Sequence, residues 1–167
     1  MIELSLRQEE AKLAYLAVAY HLGRPGSELD PVTKLPVEHG LAETAQALQP
    51  QLRLAVATIS LRDNQLSRLQ SAMLGTISEL KAYSMLELRP TPNGGQRSTV
   101  PGFDASLAHL FPEVEEDPER SLDVAEQMLL FKRNLDQKLA TVPREPDPEV
   151  IQPPKKQRNW WPFGRKP

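Results

Sequence analysis

The chain has 167 residues, of which 40% are hydrophobic, 25% are charged and none is Cys. Without Cys there is no disulfide framework, no thiolate metal site and no thiol nucleophile. A net charge of −2 argues against a polycation built as a whole for nucleic acid, and no apolar run reaches the ~18–20 residues of a transmembrane helix.

The first helix is expected over residues 5–21. Ser5 and Gln8 have the spacing of a capping box, and Glu9 and Glu10 lie early, where the helix dipole favours anions. Within residues 13–22 only His21 is polar, so this helix must be enclosed on several sides. The acidic residues Glu3, Glu9 and Glu10 precede that run, where a secretory signal needs a basic flank. With the absence of Cys, this places the protein in the cytoplasm, with the inner face of a membrane as the variant. Gly23, Pro25 and Gly26 end the helix, and residues 23–40 form a breaker-rich loop.

The strongest periodic signal follows. Leu41, Ala45, Leu48, Leu52, Ala55, Ile59, Arg62, Leu66, Leu69, Met73, Thr76, Leu80 and Tyr83 recur in alternating steps of four and three, and only Arg62 and Thr76 are not apolar. That is the seam of a coiled coil or a long bundle helix. Its phase is unbroken across Pro50, which predicts one kinked helix over residues 38–88. Leu52, Ile59, Leu66, Leu69, Met73 and Leu80 are its candidate association residues.

Prolines and glycines between residues 89 and 117 forbid a long element. A short helix is expected over residues 104–110 with Asp104 as its N-cap. A last helix over residues 118–141 carries Val124, Met128, Phe131, Leu135 and Leu139 on one face. No segment alternates strongly enough to predict a strand, and no internal repeat of useful period is evident.

Composition changes near residue 142. Residues 143–167 hold seven of the 16 prolines and six cations against three carboxylates, a net +3 that leaves −5 for the remainder. Residues 1–142 are therefore read as an acidic helical body and 143–167 as a basic, extended tail. Both Trp of the chain lie in the tail, Trp160 and Trp161, followed by Pro162 and Phe163. With Lys155, Lys156, Arg158, Arg165 and Lys166 around them, these aromatics have the chemistry of a docking motif for a protein surface or an anionic membrane.

Chemistry-bearing motifs are missing. His21, His39 and His109 are far apart, no phosphate loop or nucleophile elbow occurs, and adjacent carboxylates such as Glu9 and Glu10 do not face each other on a helix. No catalytic, cofactor-binding or metal-binding residue is assigned. The expected architecture is all-α: an elongated bundle built on one long, kinked, coiled-coil-like helix, with an extended Pro-rich tail. Two helices cannot enclose residues 13–22, so copies of the same chain or other subunits are expected to complete the packing. The expected function is a non-enzymatic assembly or scaffold subunit that packs through coiled-coil surfaces and docks by its tail. The alternative is a peripheral membrane adaptor anchored by the Trp-rich end. Nucleic acid fits poorly as a partner, since Lys155, Lys156 and Arg158 offer phosphate only a weak, unspecific seat.

Overall fold

A computed structural model describes residues 1–92 and 94–141. Strand β1 (Ile2–Arg7) runs directly into helix α1 (Gln8–Gly23). A loop leads to α2 (Leu41–Leu48), which closes in a 3₁₀ turn at Gln49–Gln51. Strand β2 (Val56–Leu61) then runs into α3 (Asp63–Tyr83). A small hairpin of β3 (Arg89–Thr91) and β4 (Gly94–Gln96) precedes α4 (Phe103–Leu110), α5 (Glu113–Glu116), a 3₁₀ turn at Pro118–Arg120 and α6 (Ser121–Thr141).

The protein is mostly helical, but the single helix expected over residues 38–88 does not form. Pro50 lies inside the 3₁₀ turn, which ends at Gln51, and residues 52–55 leave the helical path before β2 begins. The seam arithmetic failed because Ala57, Ile59 and Leu61 alternate with period two, the signature of a half-buried strand. The same alternation gives β1 its inward Leu4 and Leu6 and outward Glu3, Ser5 and Arg7. The expectations of no strand, and of a helix beginning at Ser5, are corrected accordingly.

β1 and β2 pair antiparallel, from Ile2 opposite Leu61 to Arg7 opposite Val56. Each strand turns into its helix with the same device. The Arg7 N–H donates to Glu10 Oε2 at 2.9 Å, and the Arg62 N–H donates to Gln65 Oε1 at 2.9 Å. Ser5-Leu6-Arg7 with Glu10 thus corresponds to Ser60-Leu61-Arg62 with Gln65, a short strand–helix repeat. Leu4 pairs with Ile59, its own counterpart. Arg62 is therefore the N-cap of α3 and not a charged interruption of a seam. The capping side chain of α1 is Glu10, in place of the expected Ser5–Gln8 box.

Helix α1 is central. It packs on α2, α3, α4 and α6 and on the inner face of the sheet. Leu13, Leu16 and Val18 are buried, and Ala11, Ala14 and Ala17 are fully enclosed, so neighbouring backbones approach closely. The chain's own elements cover most of this helix and leave Leu22 exposed, which corrects the expectation that a second chain must complete the packing around residues 13–22. The candidate association residues fare likewise. Ile59, Leu66, Leu69, Met73 and Leu80 belong to the chain's own core, with Leu52 partly buried against it. They are not available as an exposed seam.

Helix α3 packs along α6, where Gln70 donates to Asp136 at 2.9 Å beside the Lys132–Asp136 ion pair at 2.7 Å. At the far end Phe103 stands edge-on to Tyr20 and Tyr83, with ring centroids 6.0 and 6.4 Å away. The N-cap of α4 is Gly102 in the left-handed region at φ 79°. Asp104 instead accepts N–H groups of Arg97 and Ser98, tying the hairpin to α4.

Candidate functional site: the open edge of β1

The Gln8 N–H donates to the Ala55 carbonyl, which fixes the hydrogen-bond alternation of the strand pair. Ile2, Leu4 and Leu6 direct their backbone N–H and C=O toward β2. Glu3 and Ser5 direct theirs to the outer edge. Arg7 also points outward, and its N–H is taken by Glu10.

The corresponding edge of β2 is occupied at Thr58. Gln51 accepts the Thr58 N–H at 2.9 Å and donates to the Thr58 carbonyl at 3.0 Å. One carboxamide thereby imitates a paired strand residue. No described residue does this for Glu3 and Ser5.

The open edge borders a groove of about 240 Å³. One wall is formed by Ile2, Glu3, Leu4, Ser5 and Leu6, and the other by Phe131, Asn134, Leu135, Lys138 and Leu139 of α6. A floor of aliphatic and aromatic side chains next to two residues whose backbone donors and acceptors meet no partner among the described residues suits one chemistry, the addition of an extended peptide.

A second cleft of about 350 Å³ lies where α1 ends, lined by His21, Arg24, Ser27, Ser67, Arg68 and Ser71 among others. Arg68 on its wall and the neighbouring Glu28 hold the loop after α1. Arg68 donates to the Ser27 carbonyl at 3.2 Å, and Glu28 Oε1 accepts the Leu41 N–H at 2.9 Å. Gly40 leaves the room through which the Glu28 carboxylate passes. His21 Nε2 lies 3.2 Å from Glu28 Oε1 without hydrogen-bond alignment. Burial first, and then the nearby Arg68 and Arg24, lower the His21 pKa, while Glu28 opposes that shift. Among the described residues no group of three or more His, Cys, Asp or Glu side chains is placed to hold a metal ion.

Trp160, Trp161, Phe163, Lys155, Lys156, Arg158, Arg165 and Lys166 lie outside the described residues. Sequence reasoning missed Glu3 and Ser5 because the strand is short. The alternation Ile2-Glu3-Leu4-Ser5-Leu6 was the available signal, and its counterpart Ala57-Thr58-Ile59-Ser60-Leu61 would have named the pairing partner.

Comparison with protein-family models, with curated proteins and with solved structures finds no match to this chain. Among the described residues no helix is long and apolar enough to cross a membrane.

Proposed function

We propose that the protein is a non-enzymatic assembly subunit: a self-sufficient helical body that docks through its C-terminal segment. One observation supports this above others. The body buries its own apolar core, while both Trp and the adjoining basic cluster fall beyond Thr141. Trp clustered in a basic, Pro-rich stretch of sequence has the chemistry of an interface anchor. Pro162 restricts the backbone between Trp161 and Phe163, so less conformational entropy is lost on docking. The body's charge of −5 beside the segment's +3 favours an acidic surface as the target.

The test is quantitative affinity capture from cytoplasmic extract with the full chain and with a chain ending at residue 142. The reading predicts a defined partner retained by the full chain and lost on truncation. Identical captures would defeat it. A second reading, attachment to an anionic membrane, is favoured by Lys155, Lys156, Arg158, Arg165 and Lys166 around the aromatic pair. Flotation with phosphatidylserine vesicles, abolished by Trp160→Ala and Trp161→Ala together, would select that reading.

A further inference from the structure

We propose that the cleft at the end of α1 binds the phosphate group of a small molecule. Arg24 and Arg68 line it together with Ser27, Ser67 and Ser71. Its described lining holds no Asp or Glu. Two guanidinium groups and three hydroxyls offer more donors than the two oxygens of a carboxylate accept, and the three terminal oxygens of a phosphate suit them better.

The fold brings these groups together from two elements. On α3, Ser67 and Ser71 are four residues apart and Arg68 and Ser71 three, so the three share a face. The other wall is the turn Arg24-Pro25-Gly26-Ser27, closed by the Ser27 N–H donating to the Arg24 carbonyl at 3.2 Å. Gly26, at φ 75°, takes the left-handed place that such a turn reserves for glycine, and Pro25 sets the residue before it. The turn therefore holds Arg24 and Ser27 beside each other. A Cβ on Gly26 would meet nothing within 4 Å, so the chain leaves the cleft open at this point.

Both arginines are positioned by uncharged partners, which leave their charge in place. Arg68 donates to the Ser27 carbonyl at 3.2 Å, and the Arg24 guanidinium lies over the Tyr20 ring, 5.6 Å from its centroid. Glu28, the carboxylate beside His21, accepts the Leu41 N–H at 2.9 Å and does not line the cleft. His21 does line it and registers the field, since burial first and then Arg68 and Arg24 lower its pKa against the opposing Glu28. Size points to the kind of ligand. A cavity of ~150 Å³ holds a benzene ring, so about 350 Å³ leaves room for a small organic body beside the phosphate.

The test is titration of the full chain with inorganic phosphate and with pyrophosphate, read by amide NMR against sodium chloride of equal ionic strength. Saturable shifts of the Gly26, Ser27, Arg68 and Ser71 amides are expected, with Ile59 and Leu135 unmoved. Arg24→Gln should weaken binding about ten-fold, as the loss of a charge-assisted hydrogen bond does. Arg24→Lys keeps the charge but not the planar fork, and it should recover only part of that loss. Arg68→Gln should weaken binding as much, but it also loses the contact with the Ser27 carbonyl. Arg24→Gln and a smaller loss in Ser71→Ala, which both leave that contact in place, therefore decide. Shifts that grow without saturation, that chloride reproduces, or that keep the same affinity in Arg24→Gln would overturn the assignment. Retention on phosphatidic acid vesicles that Arg24→Gln abolishes, without a response to either free anion, would overturn it in favour of a lipid headgroup.

Discussion

The two strand–helix units of this protein start alike and end differently. Both have the sequence Ser-Leu-Arg, both close the first turn of the helix with a side chain three residues on, and their inward strand residues meet across the pair. Yet α1 buries Ala11, Ala14 and Ala17 where α3 buries Leu66, Leu69 and Ala72. The first unit supplies the enclosed centre, and the second spans from that centre to α6. Their outer edges differ as well, since Gln51 occupies that of β2 and nothing described occupies that of β1. One local design thus serves two roles, and what separates them is side-chain volume and one carboxamide.

Exchanging volumes at corresponding positions tests the first difference and should have the largest effect. Leu69 is 1% exposed, and Leu69→Ala should destabilise the fold by ~2–5 kcal/mol through a cavity. Ala14 is 0% exposed, and Ala14→Leu should cost ~1–3 kcal/mol through overpacking against the neighbouring helices. Urea midpoints at constant slope read both. A neutral Ala14→Leu would mean that α1 is less tightly enclosed than its burial implies.

Gln51→Ala tests the difference between the edges. It removes two hydrogen bonds at Thr58, each worth ~0.5–1.5 kcal/mol net, less whatever water restores. A loss of about 1 kcal/mol is expected, with the Thr58 amide exchanging as fast as any open-edge amide. No change in Thr58 exchange would show that Gln51 does not guard this edge.

The shared turn is the smallest of these contrasts. Gln65→Ala should cost ~1 kcal/mol through the cap, because the Arg62 N–H loses its acceptor, and the lost donation to the Gly40 carbonyl and Glu43 adds to it. Glu10→Gln should be better tolerated, since the second unit already uses Gln at that place. Glu10 also pairs with the Arg7 guanidinium at 3.2 Å, so some loss remains, and it should shrink in high salt. Thermal melts at two ionic strengths separate the charge effect from the cap.

How much of this was legible in the sequence follows from period and length. Helix α6 was readable because Val124, Met128, Phe131 and Leu135 recur at helical spacing along a helix of 21 residues. The 41–83 stretch was misread because a strand of six residues placed Ile59 in phase with a heptad by coincidence. A four–three pattern admits one strand residue without slipping, and only the inserted Ala57-Ile59-Leu61 alternation betrays it. The edge site was less legible still. Backbone donors carry no sequence signature, and whether they are free depends on which neighbour arrives, here a Gln51 brought to Thr58 by a 3₁₀ turn at Pro50.

A pH profile probes the clasp after α1, which has no counterpart in the second unit, where Thr76 stands at the position of His21. Thr76 satisfies itself by donating to the Ala72 carbonyl at 2.7 Å. His21, 12% exposed at its side chain, has its pKa lowered from the ordinary 6.5, chiefly by burial and then by Arg68 and Arg24 against the opposing Glu28. The folded chain therefore binds fewer protons than the unfolded chain in the interval just below 6.5. Stability must rise with pH through that interval, and acidification from neutrality must lower it until the folded-state pKa is passed. The depressed carboxyl pKa values of Asp30 and Asp136 act elsewhere, since their contribution is lost only as pH falls below the usual 3.8. Urea midpoints between about pH 8 and about pH 5 should thus fall with acid in the native chain and flatten in His21→Gln. Glu28→Gln removes the carboxylate that partly supports the charged imidazole, so it should steepen the fall. A steeper profile in His21→Gln, or a flat one in the native chain, would show that His21 does not lose its proton on folding and that the clasp is not what makes this end of α1 acid-sensitive.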